Sequence, residues 1–189
     1  MTVLESREMF TRSDLIVDLQ TLNDISLTLN QSPDVQSALN KSLAQLIELM
    51  GLQTGWIFVV DPTANDRWGG RGFRLAAHHN LPPALAVTNP EAWDKSCDCQ
   101  TLCLEGAMLG AYNEVRCSRL GSVVGERNDL AVHATTPLRS GSRVMGILNV
   151  AAPDWSYFTP RNLSLLTNVG NQMGIALERA RLFDALQEQ

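Results

Sequence analysis

The sequence predicts an α+β domain built around an antiparallel sheet. Three observations carry this. Apolar residues recur at helical steps near both ends of the chain. Between them lie short β-branched and aromatic runs bounded by glycine and proline. Two of those runs are separated by Arg139-Ser140-Gly141-Ser142, a hairpin signal that makes them antiparallel neighbours.

Residues 1–13 precede the periodic pattern and read as an N-terminal extension. From Asp14 to Asn30, Leu15, Leu19, Leu22, Ile25 and Leu29 step by three and four, the narrow stripe of an amphipathic helix. Ser32-Pro33-Asp34 then supplies an N-cap hydroxyl, a first-turn proline and an acid at the positive end of the helix dipole. The helix it opens carries Val35, Ala38, Leu39, Leu43, Leu46, Ile47 and Met50 on one side and stops at Gly51.

Thr54 to Asp61 reads as a largely buried strand, and its pairing partner follows at Phe73 to His79 across a polar, glycine-rich loop. Leu81-Pro82-Pro83 opens a short helix or an irregular segment, and residues 89–127 have no sustained period. Strands resume at Leu130 to Leu138 and Arg143 to Val150. Pro160 sits in the first turn of a final helix reaching Gln187. There Leu166, Val169, Met173, Ala176, Ala180 and Phe183 form a heptad-like seam, and Leu163, Gly170, Leu177 and Leu186 form a second stripe. Two apolar faces on one long helix predict that one covers the sheet while the other meets a partner helix. The expected assembly is a parallel homodimer bundled through the first and last helices.

With 189 residues, 44% of them apolar, the chain suffices for one well-buried domain. Fifteen lysines and arginines against twenty acids leave a net charge of -5, which gives no global electrostatic reason for binding nucleic acid or an anionic membrane. Glu5, Arg7 and Glu8 interrupt the N-terminus as a signal peptide would not, and no apolar run is long enough to span a membrane. A cytoplasmic location is expected. There thiols stay reduced, so clustered cysteines point to a metal or redox site rather than a disulfide framework.

The element order, with Leu39 to Trp56 (LNKSLAQLIELMGLQTGW), Thr136 to Val150 (TPLRSGSRVMGILNV) and Leu163 to Gln189, resembles the GAF domain. The resemblance implies a GAF sensory domain over residues 14–187: an antiparallel sheet with helices on one face, a ligand pocket on the other, and long N- and C-terminal helices. It places a cysteine-rich insert at about 89–127 and an output helix at about 159–187. The ending ERARLFDALQEQ is similar to the junction into the kinase module of bacterial sensor histidine kinases. That implies a sensory role in a two-component system, with no catalytic site in this chain. Asn149 is followed by Val150, and Phe158 by Asn162-Leu163, which departs from the pattern of cyclic-nucleotide-binding relatives. No cysteine is followed by histidine, which departs from that of bilin-binding ones.

All four cysteines, Cys97, Cys99, Cys103 and Cys117, lie in the insert with spacing C-x-C-x3-C-x13-C. Four thiolates can hold zinc in a closed tetrahedron or an iron–sulfur cluster. The C-x-C step suits the C-x2-C turn of structural zinc sites poorly, because it lacks the second intervening residue that lets a turn aim both sulfurs at one ion. A cluster offers ligation points spread in space, and sensor kinases with iron–sulfur clusters in a GAF domain are similar in having cysteines in the insert. The expectation is therefore an iron–sulfur cluster on these four residues, 2Fe-2S favoured and 4Fe-4S possible, sensing redox state, oxygen or nitric oxide. Zinc, a thiol/disulfide switch, a small organic molecule or anion in the pocket, and a thiol-based redox enzyme stay open as alternatives.

Other residues carry weaker signals. Lys95, Arg116 and Arg119 read as surface charge on a solvated loop. His78, His79 and His133 read as packing or surface residues, with His133 the one placed to touch a pocket. Trp56, Trp68, Trp93 and Trp155 read as core or lid. Gly69-Gly70-Arg71-Gly72 lacks the Lys-Ser/Thr of a phosphate loop, and no G-x-S-x-G occurs.

Overall fold

The computed structural model describes residues 12–32, 34–61, 63, 72–112 and 117–187. Trp68, Arg116 and most of the glycine-rich loop lie outside them, as does the N-terminal extension up to residue 11. Helix α1 spans Arg12–Gln31 and α2 spans Val35–Leu49. The N-cap of α2 is Asp34, not Ser32: its carboxylate accepts from the Gln36 and Ser37 N–H groups at 3.1 and 3.0 Å. An ionised acceptor against the positive helix end outcompetes the hydroxyl, which donates instead to the Asp34 carbonyl.

Strands β1 (Thr54–Val60), β2 (Phe73–His79), β3 (Val132–Ser140) and β4 (Arg143–Ala152) form one antiparallel sheet in the order β2-β1-β4-β3. Nearly every residue of β1 is buried, because both faces of the sheet are covered. Alternation then sorts its side chains. Ile57 and Val59 join Leu148 and Val150 on one face, while Trp56 and Phe58 join Ile147 and Ala151 on the other.

The first face packs on α1, α2 and α5 (Pro160–Gln187). Gly170 and Gly174, one helical turn apart, let α5 lie directly on β3. A methyl at Gly170 would press on Thr136 at 2.7 Å, and one at Gly174 would collide with the Arg139 backbone. Leu166, Val169 and Met173 fill that interface and are fully buried, each stabilising by about 1.5–3 kcal/mol relative to exposure. Arg161 pairs with the buried carboxylate of Asp18, and Arg179 donates to the Leu29 carbonyl at 2.6 Å, so α1 is fixed to α5 at two points.

Both expected stripes of α5 are core as far as Leu177; beyond Ala180 the helix leaves the domain, and Leu182, Phe183 and Leu186 are exposed. Among the described residues no helix is long and apolar enough to cross a membrane.

The second face is covered by the segment that links β2 to β3, which includes the aperiodic insert at about 89–127. It folds into single-turn helices at Pro83–Leu85 and Pro90–Ala92, then α3 (Asp98–Leu104) and α4 (Ser118–Ser122). Elements of three to seven residues are too short for a helical period to emerge. Their apolar residues nevertheless build a second core under the sheet, with Leu85, Trp93, Met108, Leu120 and Leu130 against Trp56 and Phe58.

Candidate functional site: a cysteine cluster under the sheet

All four cysteines are free thiols in this second core, none more than 5% exposed. Cys97 and Cys117 are the N-cap residues just before α3 and α4, where the chain must turn into a helix, and Cys99 and Cys103 sit one turn apart within α3. The turn at Cys97 is held by its own N–H donating to Gln100 Oε1 at 2.8 Å. At Cys117 the sulfur itself accepts from the Leu120 N–H at 3.3 Å.

The C-x-C step aims two sulfurs together. Cys97 and Cys99 Sγ lie 2.7 Å apart, with Cys97 in extended conformation at the N-cap and Cys99 in the first turn of α3. Cys117 is within electrostatic reach of both. Cys103 faces a different neighbourhood, 4.0 Å from the Gly146 carbonyl and near Arg139. The structure therefore groups Cys97, Cys99 and Cys117 and sets Cys103 to one side within the same core.

Their acidities differ accordingly. The hydrogen bond from Cys99, aided by the Arg119 charge, lowers Cys97 to about 6 despite its burial. Donating that bond, and burial, hold Cys99 well above the usual thiol range. Burial raises Cys103 to about 11, opposed by Arg139, and raises Cys117 to about 11, opposed by the Leu120 N–H. One sulfur is thus poised as a thiolate, the reactive and metal-binding form, while three are held as thiols.

Arg119, expected at the surface, is 5% exposed. Its guanidinium lies 5.4 Å from the Phe58 ring centre and 5.0 Å from that of Trp93, and it donates to the Ala92 and Lys95 carbonyls. Lys95 is exposed, as expected, and Arg116 falls outside the described residues. No local pattern signals the burial of Arg119, because its aromatic neighbours come from β1 and from a segment 26 residues upstream.

A row of buried polar groups crosses the same sheet face. Thr135 pairs with Asn149 and Asn149 with Trp56 across the strands, and His133 lies one step along β3 on that face. The Thr135 hydroxyl, both Asn149 amide atoms, the Trp56 Nε1 and both His133 ring nitrogens are buried without a protein partner. Burial, with the Arg119 charge beside it, lowers His133 to about 4. His78 is exposed and His79 half-buried; Trp56 and Trp93 are core and Trp155 half-exposed. Asn149 was readable: a polar residue inside the apolar run Gly146 to Ala152 signals a buried amide.

Whether these residues suit a thiolate-bound centre is a matter of chemistry and of spacing. The chemistry fits: four buried free thiols in a largely apolar core, with Arg119 near Cys97 and Arg139 near Cys103 as positive charges. The spacing is that of separate groups, since no three His, Cys, Asp or Glu side chains among the described residues stand close enough to share one ion. Holding a single centre calls for Cys103 and Cys117 to draw in toward Cys97 and Cys99.

Comparison with known proteins agrees with this architecture. The chain is 35% identical over 175 residues to the sensor histidine kinase YhcY of Bacillus subtilis (strain 168), covering 90% of this chain and 44% of that kinase, so it spans under half the relative's length. The GAF domain of an Acinetobacter phosphoenolpyruvate-protein phosphotransferase superposes with a TM-score of 0.63 at 19% identity, over 89% of this chain and 98% of that one. Free methionine-R-sulfoxide reductase from Neisseria meningitidis, solved with its substrate, superposes with a TM-score of 0.58 at 16% identity, over 91% and 94% of the two chains. At such identities these two solved structures speak to the fold alone. The GAF domain family itself matches residues 32–178, from just before α2 through the sheet and the cysteine insert into α5, and the chain belongs to that family.

Proposed function

We propose that this GAF domain is the cytoplasmic input module of a sensor histidine kinase and reads redox state, oxygen or nitric oxide at a centre held by Cys97, Cys99, Cys103 and Cys117. One observation carries the reading: four free thiols are gathered in one buried core roofed by a segment that reaches the output helix. Likeness to a sensor histidine kinase over 90% of the chain supports the kinase context.

An iron–sulfur cluster on the four cysteines, 2Fe-2S by preference because four thiolates satisfy two irons, would supply one-electron chemistry and sensitivity to oxidants; zinc is the alternative occupant. The chain's own residues do the rest. Trp93, Leu120 and Met108 exclude water from the thiols. Arg119 and Arg139 offset their charge.

From α3 the chain runs through Met108, whose carbonyl accepts from Arg139 at 3.0 Å, and Tyr112, which bridges to Thr135. Between them Ala111 donates to Thr167 of α5. A change in the charge or order of the cysteine core therefore has a bonded route to the output helix, as a two-state switch requires. The exposed end of α5 pairs with that of a second copy, giving a homodimer that passes the change on.

Anaerobically purified chain should carry iron and acid-labile sulfide, with visible absorption that bleaches in air. Colourless, iron-free protein after reconstitution refutes the cluster. The buried polar row favours a second reading, a small organic molecule or anion bound beneath the insert at Thr135, Asn149 and Trp56. That ligand would raise the melting temperature even with all four cysteines replaced by serine. Turnover of methionine sulfoxide with a thiol reductant would instead make the chain an enzyme.

A further inference from the structure

We infer that Cys97 and Cys99 form a dithiol pair that a peroxide closes into a disulfide in the metal-free chain, while Cys103 and Cys117 stay reduced. This goes beyond the reading of the four cysteines as one centre and does not require that any metal binds. The two sulfurs lie 2.7 Å apart. Unbonded carbon atoms rest about 3.5–4.0 Å from each other, and sulfur is the larger atom, so the pair already stands inside ordinary contact. A disulfide asks for about 2.05 Å. The remaining approach is short.

The backbone on either side is fixed. Cys97 is extended at the N-cap of α3, its N–H held by Gln100 Oε1 at 2.8 Å, and Cys99 follows in the first turn. The other two sulfurs are turned to backbone groups instead. Cys103 Sγ lies 4.0 Å from the Gly146 carbonyl, and Cys117 Sγ accepts from the Leu120 N–H at 3.3 Å.

With hydrogen peroxide the step balances in two stages. One sulfur attacks a peroxide oxygen and the O–O bond breaks, giving a sulfenic acid and one water. The second thiol then attacks that sulfur: the S–S bond forms, the S–O bond breaks, and the hydroxyl leaves with the thiol proton as a second water. Two electrons pass from the dithiol to the peroxide. Burial selects the partner in the second stage. Cys97 is 5% and Cys99 2% exposed, so bulky thiols are kept from the sulfenic acid while a thiol already in contact is not.

The competing role is two packed thiols inert to oxidation, as buried structural cysteines are. The experiment treats metal-free, folded wild-type chain with hydrogen peroxide, then denatures it, alkylates the remaining thiols and measures the mass of the intact chain and its tryptic peptides. Trypsin cuts after Lys95, Arg116 and Arg119, which leaves Cys97, Cys99 and Cys103 on the peptide 96–116 and Cys117 on the peptide 117–119.

The expected result is loss of two alkylatable thiols, reversed by dithiothreitol, with Cys103 and Cys117 both alkylated and no link between the two peptides. Cys103→Ser and Cys117→Ser should still lose two thiols, and Cys97→Ser and Cys99→Ser should form no internal disulfide. All four thiols alkylated in the treated wild type, or a disulfide that includes Cys103 or Cys117, overturns the inference. If a serine variant does not fold, the wild-type peptide map still decides. Iron content is read on separate, reconstituted protein, so failure of the pair leaves the cluster standing and failure of the cluster leaves the pair standing.

Discussion

The backbone N–H of Ala111 donates to the hydroxyl of Thr167 at 2.9 Å, joining the stretch of the cysteine insert that follows α3 to the middle of α5. The same hydroxyl donates to the Leu163 carbonyl at 2.9 Å, which fixes its orientation. Thr167→Val keeps the shape and leaves the Ala111 N–H unpaired, a loss of about 1 kcal/mol. Amide hydrogen exchange should quicken in residues 105–112 and stay unchanged in β1. Unchanged exchange in both would mean that this bond does not hold the insert.

Packing of α5 on β3 depends on the absence of side chains. Gly174→Ala drives a methyl into the Arg139 backbone and is expected to cost about 3 kcal/mol, ~10 °C in melting temperature. Gly121→Ala, in α4 with open space around it, should be neutral or slightly stabilising. Urea melts of the two variants provide the comparison.

His133 titrates at about 4 because it is buried beside a fixed cation. Its folded pKa lies below the ordinary value of about 6.5, so between those values the unfolded chain binds the proton more readily. Stability is full above about pH 6.5 and falls as pH drops toward 4, by about 2–3 kcal/mol from this residue. His133→Gln should flatten the stability profile across that window. An unchanged slope would assign the pH dependence to other groups.

Much of this was legible in the residues. The five long apolar patterns gave α1, α2, β1, β4 and α5 within about two residues, because each is long enough for its period to repeat. The insert was not legible: α3 and α4 are too short, and their burial comes from Trp56 and Phe58 at distant positions. The cysteines were conspicuous by spacing, yet no periodicity could reveal that Cys97 and Cys99 converge while Cys103 turns toward Arg139. Arg119 was misread because charge in an aperiodic segment ordinarily means solvent, and only the fold supplies the two rings that enclose it.

The end of α5 exposes Phe183 at 59% and Leu186 at 71%, a wide apolar surface past the last contact with the sheet. Replacing both with glutamate should convert a dimer to a monomer in light scattering without lowering the melting temperature of the domain core. A wild-type chain that is monomeric at high micromolar concentration would contradict the dimer.

The central claim is that the four cysteines serve one centre although Cys103 stands apart from the other three. Iron and acid-labile sulfide per chain, measured on anaerobically reconstituted wild type and the four single cysteine-to-serine variants, test it directly. The account predicts a loaded wild type and a comparable loss of both elements in Cys97→Ser, Cys99→Ser, Cys103→Ser and Cys117→Ser. Full iron and sulfide in Cys103→Ser, or none in the wild type, would contradict it.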